Sequence, residues 1–428
     1  MAVPCCFVKQ LASSSQLSAN ETNLLVNFPL NLCIIMCEST TESRVHLDPL
    51  IEKVTERFKQ NVSNVSYELS MPDDSFFLSN MFFVRITMNE EKIDVVVKKP
   101  SPLDYVREML ESDVQFHNEI VFYEKYSKED DEVPRCFYTE EKPPVDSVLV
   151  LENIKSSRGY SLSHWKYDIP LEYTHAAIRT LARFHGKCYA MKEHQPDRFF
   201  DIVSNLWPSR YRHDSQMKVM MNGTATRAVE YLRRRGYDKT FCDRLEAKWE
   251  DVFGNVVMDI VRPEEPLSTL CHGDFTMNNV FFKRENEQLK AMLIDFALVR
   301  YGSPVIDLST LLCLHCARDL DKNLLDNVLK VYHDALIEVL KERGVEDLAK
   351  YSYQAFYEDY RKKGIFGFFI STFFLSMVMG KNTVSPEEMM QMDYEKSVLV
   401  LRESGGDEIS EILANMLLKL KEFGCLDD

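Results

Sequence analysis

The sequence predicts an α+β chain in two lobes, a small antiparallel β lobe followed by a larger helical one. Three observations carry that prediction. Three β-rich runs follow one another closely between residues 65 and 99, with turn signals between them. From about residue 173 onward the apolar residues recur mainly at helical spacing. Between these regimes and the C-terminus, one polar loop and one short predicted hairpin interrupt the helices, at 271–295.

With 428 residues, 45% hydrophobic and 28% charged, the chain has the composition of a globular protein large enough for two or three domain-sized units. Lys and Arg number 51 against 67 for Asp and Glu, a formal charge of −16. That excess of acid argues against nucleic acid or an anionic membrane surface as the main partner. The eleven cysteines are odd in number and scattered, several inside apolar runs, which fits a reducing, cytoplasmic setting better than a disulfide framework.

Residues 1–45 show no sustained period and read as a flexible extension, and the apolar stretch Leu24 to Cys37, broken by Asn27, Pro29 and Asn31, makes a poor signal peptide. Domain boundaries are expected near 46–152 for the small lobe and 153–428 for the large one. A helix is predicted from His46 to Gln60, where Leu47, Leu50, Ile51, Val54 and Phe58 keep one face. Strands follow at Val65 to Ser70, Ser79 to Asn89 and Lys92 to Lys99, with turns at Pro72-Asp73-Asp74 and Asn89-Glu90-Glu91. Asp104 to Tyr126 then reads as a single helix in which Phe116, Glu119, Ile120 and Tyr123 share a face. A carboxylate on an apolar face requires a cation, and Lys98 at the end of the third strand can supply it. Lys98 and Lys99 point to opposite faces of that strand, with Lys99 the second choice.

Two more strands are predicted at Cys136 to Glu140 and Ser147 to Glu152, and a long helix from Tyr173 to Met191. His185 on that helix reads as a hydrogen-bonded structural histidine. Helical runs at about 226–236 and 239–260 lead to the polar loop. Ile365 to Met379 is strongly apolar but shorter than the roughly 20 residues a membrane span needs, so a buried helix and no membrane span are expected. Cys313 and Cys316 have CxxC spacing inside a predicted helix, with no second pair to complete a zinc site.

The candidate site is Cys271-His272-Gly273-Asp274-Phe275-Thr276-Met277-Asn278-Asn279, with Ile294-Asp295-Phe296 beyond a hairpin built from Val280 to Lys283 and Leu289 to Ile294. Its polar connection is Arg284-Glu285-Asn286-Glu287. Asp274, Asn279 and Asp295 are oxygen-bearing side chains on short loops beside apolar segments. Phosphoryl transfer from a nucleotide with magnesium needs such a set: one carboxylate to orient or accept the proton of a hydroxyl, and a second carboxylate with an amide oxygen to hold hard cations. Those roles fall to Asp274, Asp295 and Asn279 in turn. Asp307, at the start of the next predicted helix, is expected to cap it and to brace the loop.

This order of motifs resembles the catalytic core of the aminoglycoside phosphotransferase and choline kinase superfamily, and within it the ecdysteroid kinase-like (CHK kinase-like) family. The residues carrying the resemblance are Lys98-Lys99-Pro100, Phe116 with Glu119, Leu149 to Asn153 with Gly159-Tyr160, Cys271 to Asn279, and Ile294 to Leu308. It implies a two-lobed protein-kinase-like fold, ATP and Mg2+ as cofactors, and a small-molecule alcohol, ecdysteroid-like and lipophilic, as substrate. Asp274 matches the family's catalytic base, Asn279 and Asp295 its metal ligands, and Lys98 with Glu119 its phosphate-orienting pair. By the same analogy Glu152 and Ile154 offer backbone groups to an adenine. Ser79 and Asn80 end a nucleotide loop without glycine and take its place near the phosphates. Ala297 stands where such kinases commonly place Gln or Glu. A choline-like or aminoglycoside-like acceptor, and a nucleotide-binding protein without transfer, are the other readings open at this point.

Overall fold

A computed structural model describes residues 47–56, 65–70, 79–89, 91–318, 320–385, 388–389 and 391–426. The expected extension, the Pro72-Asp73-Asp74 turn and most of the glycine-free loop therefore lie outside the described residues. The chain divides into two units at Ser63/Asn64. In the first, a helix, α1, covers 47–56.

The second unit opens with strands β1 (Val65–Ser70), β2 (Asn80–Met88) and β3 (Glu91–Lys99). Two short helices follow, α2 (Asp104–Leu110) and α3 (Ser112–Val121), the latter extended by a π-helical turn over Phe122–Tyr126. Strands β4 (Cys136–Glu140) and β5 (Val148–Glu152) complete an antiparallel sheet in the order β1-β2-β3-β5-β4. The period of two is plain along β2, where Phe82, Val84, Ile86 and Met88 are buried, and β5, between β3 and β4, is apolar on both faces.

One expectation fails in this lobe. The periodicity from Asp104 to Tyr126 predicts a single helix, but Glu111 takes φ 54° and separates α2 from α3. No glycine or proline marks the break. The Glu111 carboxylate accepts from the backbone N–H of Arg210 and from the Arg212 guanidinium, both at 3.1 Å, so partners about a hundred residues away accompany a local conformation that helical periodicity does not report.

The large lobe begins with α4 (Ile154–Arg158) and a two-residue strand β6 (Ser161–Leu162). Then come α5 (Leu171–His194), α6 (Pro196–Asn205), α7 (Met217–Thr224), α8 (Arg227–Arg234), α9 (Lys239–Lys248) and the single turn α10 (Met258–Ile260). The predicted run 239–260 is thus divided, and a π-helical turn at Phe253–Val257 precedes its last part. Strands β7 (Thr269–Cys271), β8 (Val280–Glu285), β9 (Gln288–Leu293) and β10 (Arg300–Gly302) carry the polar loops. The remainder is helical: α11 (Val305–His315), α12 (Lys322–Glu342), α13 (Tyr353–Lys363), α14 (Ile365–Val378), α15 (Tyr394–Glu403) and α16 (Gly406–Glu422).

The 14-residue α14 is almost wholly buried, packed on α11 so closely that a β-carbon at Gly367 would sit 2.0 Å from the Ser309 carbonyl oxygen. At 1.5 Å per residue it is about 21 Å long, and among the described residues no helix is long and apolar enough to cross a membrane. Cys313 lies within α11 and Cys316 just beyond it, and both are buried. The fold is α+β in two lobes, a five-stranded antiparallel sheet with α3 and a helical lobe around α5, as the sequence predicts.

Candidate active site

The polar loop is fixed from below by Asp307. Its carboxylate accepts the backbone N–H of His272 at 2.7 Å and of Gly273 at 2.9 Å, and the ring of the fully buried His185 at 3.1 Å. His185 is in turn hydrogen-bonded to the Tyr332 hydroxyl at 2.8 Å, the structural role its sequence position suggests. Asp307 lies in the first turn of α11 behind Pro304 and does not cap it, so of its two expected parts only the bracing one is seen. Gly273 has φ 82°, and a β-carbon there would lie 1.9 Å from the Leu298 carbonyl oxygen, so the crossing of these two strands of chain admits only glycine.

Two histidines hold the loop from its sides. The Nε2 of His272 faces the Ile294 carbonyl at 2.9 Å and must donate, leaving Nδ1 to accept the Asp274 N–H at 3.3 Å. His315 is arranged the opposite way: Nδ1 donates to the Lys166 carbonyl at 2.6 Å and Nε2 accepts the Met277 N–H at 3.2 Å. Burial holds the His315 pKa down at about 4, so it stays neutral and keeps both bonds. Sequence reading passed over His315, because its partners come from two loops distant in the chain.

The predicted hairpin is formed by β8 and β9, with Val280 opposite Leu293. Its connection has two residues, not four. Arg284 and Glu285 stay in β8, while Asn286 and Glu287 take φ of 49° and 66°, the geometry of a tight turn that follows the strand twist. At the open end the Ile294 N–H donates to the Asn279 carbonyl at 3.0 Å, which brings Asn279 and Asp295 out side by side. The Asn279 amide donates to the Asp274 carbonyl at 2.9 Å and to its carboxylate at 3.0 Å. With its NH2 spent on Asp274, Asn279 keeps its side-chain oxygen for another partner.

From the small lobe, Lys98 reaches the same place. Its ammonium lies 2.6 Å from Glu119 and 2.9 Å from Asp295, and Lys98 and Glu119 are buried. Burial alone would lower the Lys98 pKa, but Asp295 and Glu119 outweigh it and hold the ammonium protonated. Burial pushes Glu119 up to about 7 despite Lys98, with the negative Asp295 adding to the rise. For Asp295, burial is outweighed by Lys98 and the carboxyl is held below its usual range. The backbone N–H of Ala297 also supports that carboxylate, so a main-chain group acts where a polar side chain is missing. Asp274 goes the other way: burial raises its pKa, the Arg210 charge opposes this and Asp295 reinforces it. Phe296 stacks on Phe122 at 3.8 Å between ring centres, seating the segment after Asp295 against the helix that carries Glu119.

The structure therefore brings Lys98, Glu119 and Asp295 into one group and Asp274 and Asn279 into another, joined by the Ile294–Asn279 backbone bond. Ser79 and Asn80 stand where β2 begins, with Asn80 opposite Lys99 and the next residue, Met81, opposite Lys98. Glu152 and Ile154 lie farther out, at the junction of β5 and α4. The Glu152 N–H donates to the Arg135 carbonyl at 2.8 Å and its carboxylate pairs with Arg158 at 2.5 Å, which leaves its carbonyl as the group to consider.

A cavity of about 180 Å3 opens beside Gly273. Val203, Leu206, Trp207, Tyr211, Leu298 and Tyr301 give it an apolar and aromatic wall, Arg210 and Arg300 add cations, and no carboxylate lines it. Arg300 lies over the Tyr211 ring at 4.7 Å. The buried Nε of Arg300 and Oγ of Ser209, both in this wall, have no hydrogen-bond partner among the described residues. None of these wall residues stands out in the sequence, where they read as helix and strand flanks; only the φ of 60° at Arg210 sets one apart once the backbone is known.

The sequence profile of the ecdysteroid kinase-like family matches residues 74–345. Among solved structures, an ethanolamine kinase from Plasmodium vivax is 12% identical, with 78% of this chain and 80% of that one covered and a TM-score of 0.41. A spectinomycin phosphotransferase in complex with ADP and spectinomycin is 11% identical, with 86% and 98% covered and a TM-score of 0.41. A microcompartment-associated aminopropanol kinase is 13% identical, with 88% and 99% covered and a TM-score of 0.37. No curated protein matches.

Proposed function

Since the chain belongs to the ecdysteroid kinase-like family, we propose that it transfers the terminal phosphoryl group of ATP, with Mg2+, to a hydroxyl of an ecdysteroid-like lipophilic alcohol. The observation that carries this reading is the junction of Lys98, Glu119 and Asp295 with the Asp274–Asn279 pair in one place. The donor set fits a hard divalent cation: one carboxylate held ionised, and one amide whose NH2 is already spent so that its oxygen is left over. Asp295 and Asn279 would hold the ion, which when bound neutralises charge on the phosphates.

The acceptor hydroxyl is oriented by the Asp274 carboxylate, which takes its proton as the new O–P bond forms and the bond from the terminal phosphorus to the bridging oxygen breaks, releasing ADP. A raised pKa makes that carboxylate a stronger base than an ordinary aspartate, and Asn279 keeps it turned toward the reacting face. Lys98, held protonated, orients the nucleotide phosphates while Glu119 fixes its ammonium group. The Glu152 carbonyl and the Ile154 N–H are assigned to the adenine, and Ser79 and Asn80 to the phosphate side of the nucleotide loop. The acceptor is assigned to the cavity beside Gly273. Its aromatic wall and two arginines favour a neutral, oxygen-bearing lipophile over a cationic amino alcohol, which would meet like charge there.

The test is magnesium-dependent transfer of labelled phosphate from ATP to a panel of steroid, choline-like and sugar alcohols, with Asp274→Asn as control. A labelled steroid that vanishes with the variant supports the reading. Labelling of choline-like alcohols alone would overturn the acceptor assignment, and saturable ATP binding with no transfer to any acceptor would overturn the activity.

A further inference from the structure

Helix α3 carries Glu119 toward the nucleotide side, yet the two residues before it face elsewhere. Asn118, 1% exposed, uses both ends of its amide on one residue of the cavity wall: its Nδ2 donates to the Trp207 carbonyl at 3.0 Å, and its Oδ1 accepts the Trp207 N–H at 2.8 Å. This is the pairing a neighbouring β-strand would give, supplied by one side chain. His117 stacks flat on the Trp207 ring at 3.8 Å and bonds the Asn205 carbonyl at 2.8 Å through Nε2. At the other end of α3 the Glu111 carboxylate holds the Arg210 N–H and the Arg212 guanidinium. Arg210 in turn sets its charge near Asp274.

The wall segment from Asn205 to Arg212 is thus pinned at three points by the junction and helix that carry Glu119. We infer that Asn118 is a positioning residue that couples the two substrate sites: it ties the acceptor wall to the helix whose Glu119 orders Lys98, so that nucleotide binding is felt at Trp207. The inference rests on the kinase reading of the site. It requires no new chemistry. A helix is stiff, and a displacement of Glu119 when Lys98 turns from Asp295 to a phosphate is passed to residues one position away in the same turn. The buried amide then moves the wall, because breaking its paired bonds would leave the Trp207 backbone groups unsatisfied.

Trp207 provides the readout, since it is one of only three tryptophans and is 46% exposed. The full chain is titrated with ATP and Mg2+ while intrinsic fluorescence is followed, and Trp207→Phe identifies the Trp207 component. Nucleotide affinity is measured in parallel by calorimetry. The expected result is a saturable change in the Trp207 component that disappears in Asn118→Ala, with nucleotide affinity altered by no more than about threefold, the size of a modest local perturbation. Glu111→Gln, at a partly exposed position and therefore tolerant, should reduce the amplitude without abolishing it. A purely structural role for Asn118 would lower thermal stability and leave the amplitude at saturation intact. Full amplitude in Asn118→Ala, or a flat Trp207 signal while calorimetry shows wild-type binding, overturns the inference. Absence of nucleotide binding by calorimetry overturns the kinase reading first and this inference with it.

Discussion

The side of this cleft proposed for the nucleotide and the side proposed for the acceptor are built on opposite plans. On the nucleotide side each charged group is matched within the site: Lys98 sits between Glu119 and Asp295. Its pieces come from regular elements, the end of β3, the middle of α3 and the two ends of one hairpin. On the acceptor side much of the wall is irregular chain from Leu206 to Arg212, with a non-glycine residue at positive φ, and it is held by Asn118, His117 and Glu111 from outside. A self-contained charge cluster suits a substrate that the fold always binds. A wall hung from side chains can change shape by substitution without disturbing the chemistry, which suits the part that selects an acceptor.

The strongest way to break this comparison is to remove the proposed base alone. Asp274→Asn keeps the shape and the Asn279 contact on one oxygen while removing the proton acceptor, and turnover should fall by about 10²–10⁴, with calorimetric ATP affinity little changed. If ATP affinity fell as much as turnover, Asp274 would belong to the nucleotide cluster and the division between the two sides would be lost.

Lys98→Met comes next in size. It leaves Glu119 and Asp295 facing one another without a cation, and breaking a buried pair from one side is destabilising by about 3–5 kcal/mol. Urea denaturation should show it. The double variant Lys98→Met/Glu119→Gln should recover part of the loss, since the buried charge has gone with its partner. No recovery would mean that Asp295, not Glu119, is the carboxylate the ammonium compensates.

How much of this was legible follows the same division. Asp274, Asn279 and Asp295 could be named from sequence because a loop, a hairpin and an apolar strand fix their spacing locally, and Glu119 because a carboxylate on an apolar helical face requires a cation. The small-lobe strands were legible to within a residue or so, through their period of two. The break at Glu111, the paired amide of Asn118, the bridging ring of His315 and the Arg210 charge near Asp274 were not. Each depends on partners distant in the chain, from 38 residues away for Met277 to 149 for Lys166 at His315, and no local pattern reports it. Even the hairpin turn was read two residues too long, because polar Arg284 and Glu285 sit at an exposed strand end where composition resembles a loop.

A smaller effect is expected from pH. Burial raises the Asp274 pKa, so the proton acceptor is lost on acidification at a higher pH than for an ordinary aspartate, whereas Asp295, held low by Lys98, is still ionised there. Acceptor turnover should therefore fall on the acid side through an ionisation lying above the usual carboxylate range; because Glu119, pushed up to about 7, titrates beside Lys98 as well, the profile is taken in Glu119→Gln, where ATP affinity across the same range should stay flat. Parallel losses of both would place the titrating group on the nucleotide side and remove the contrast.

The smallest predicted effect is at Lys99, and its value lies beside Lys98. The two are neighbours on β3, but Lys98 is buried between two carboxylates while Lys99 is partly exposed and pairs in register with Asn80 at the sheet's end. Successive residues of a strand face opposite sides, so only one of them can serve the cleft. Lys99→Ala should leave stability within about 0.5 kcal/mol, as is usual for surface changes, and turnover within about twofold by the same measure. If Lys99→Ala abolished nucleotide binding and Lys98→Met did not, β3 would have to be turned over in the working enzyme, and with it the whole assignment of the nucleotide side.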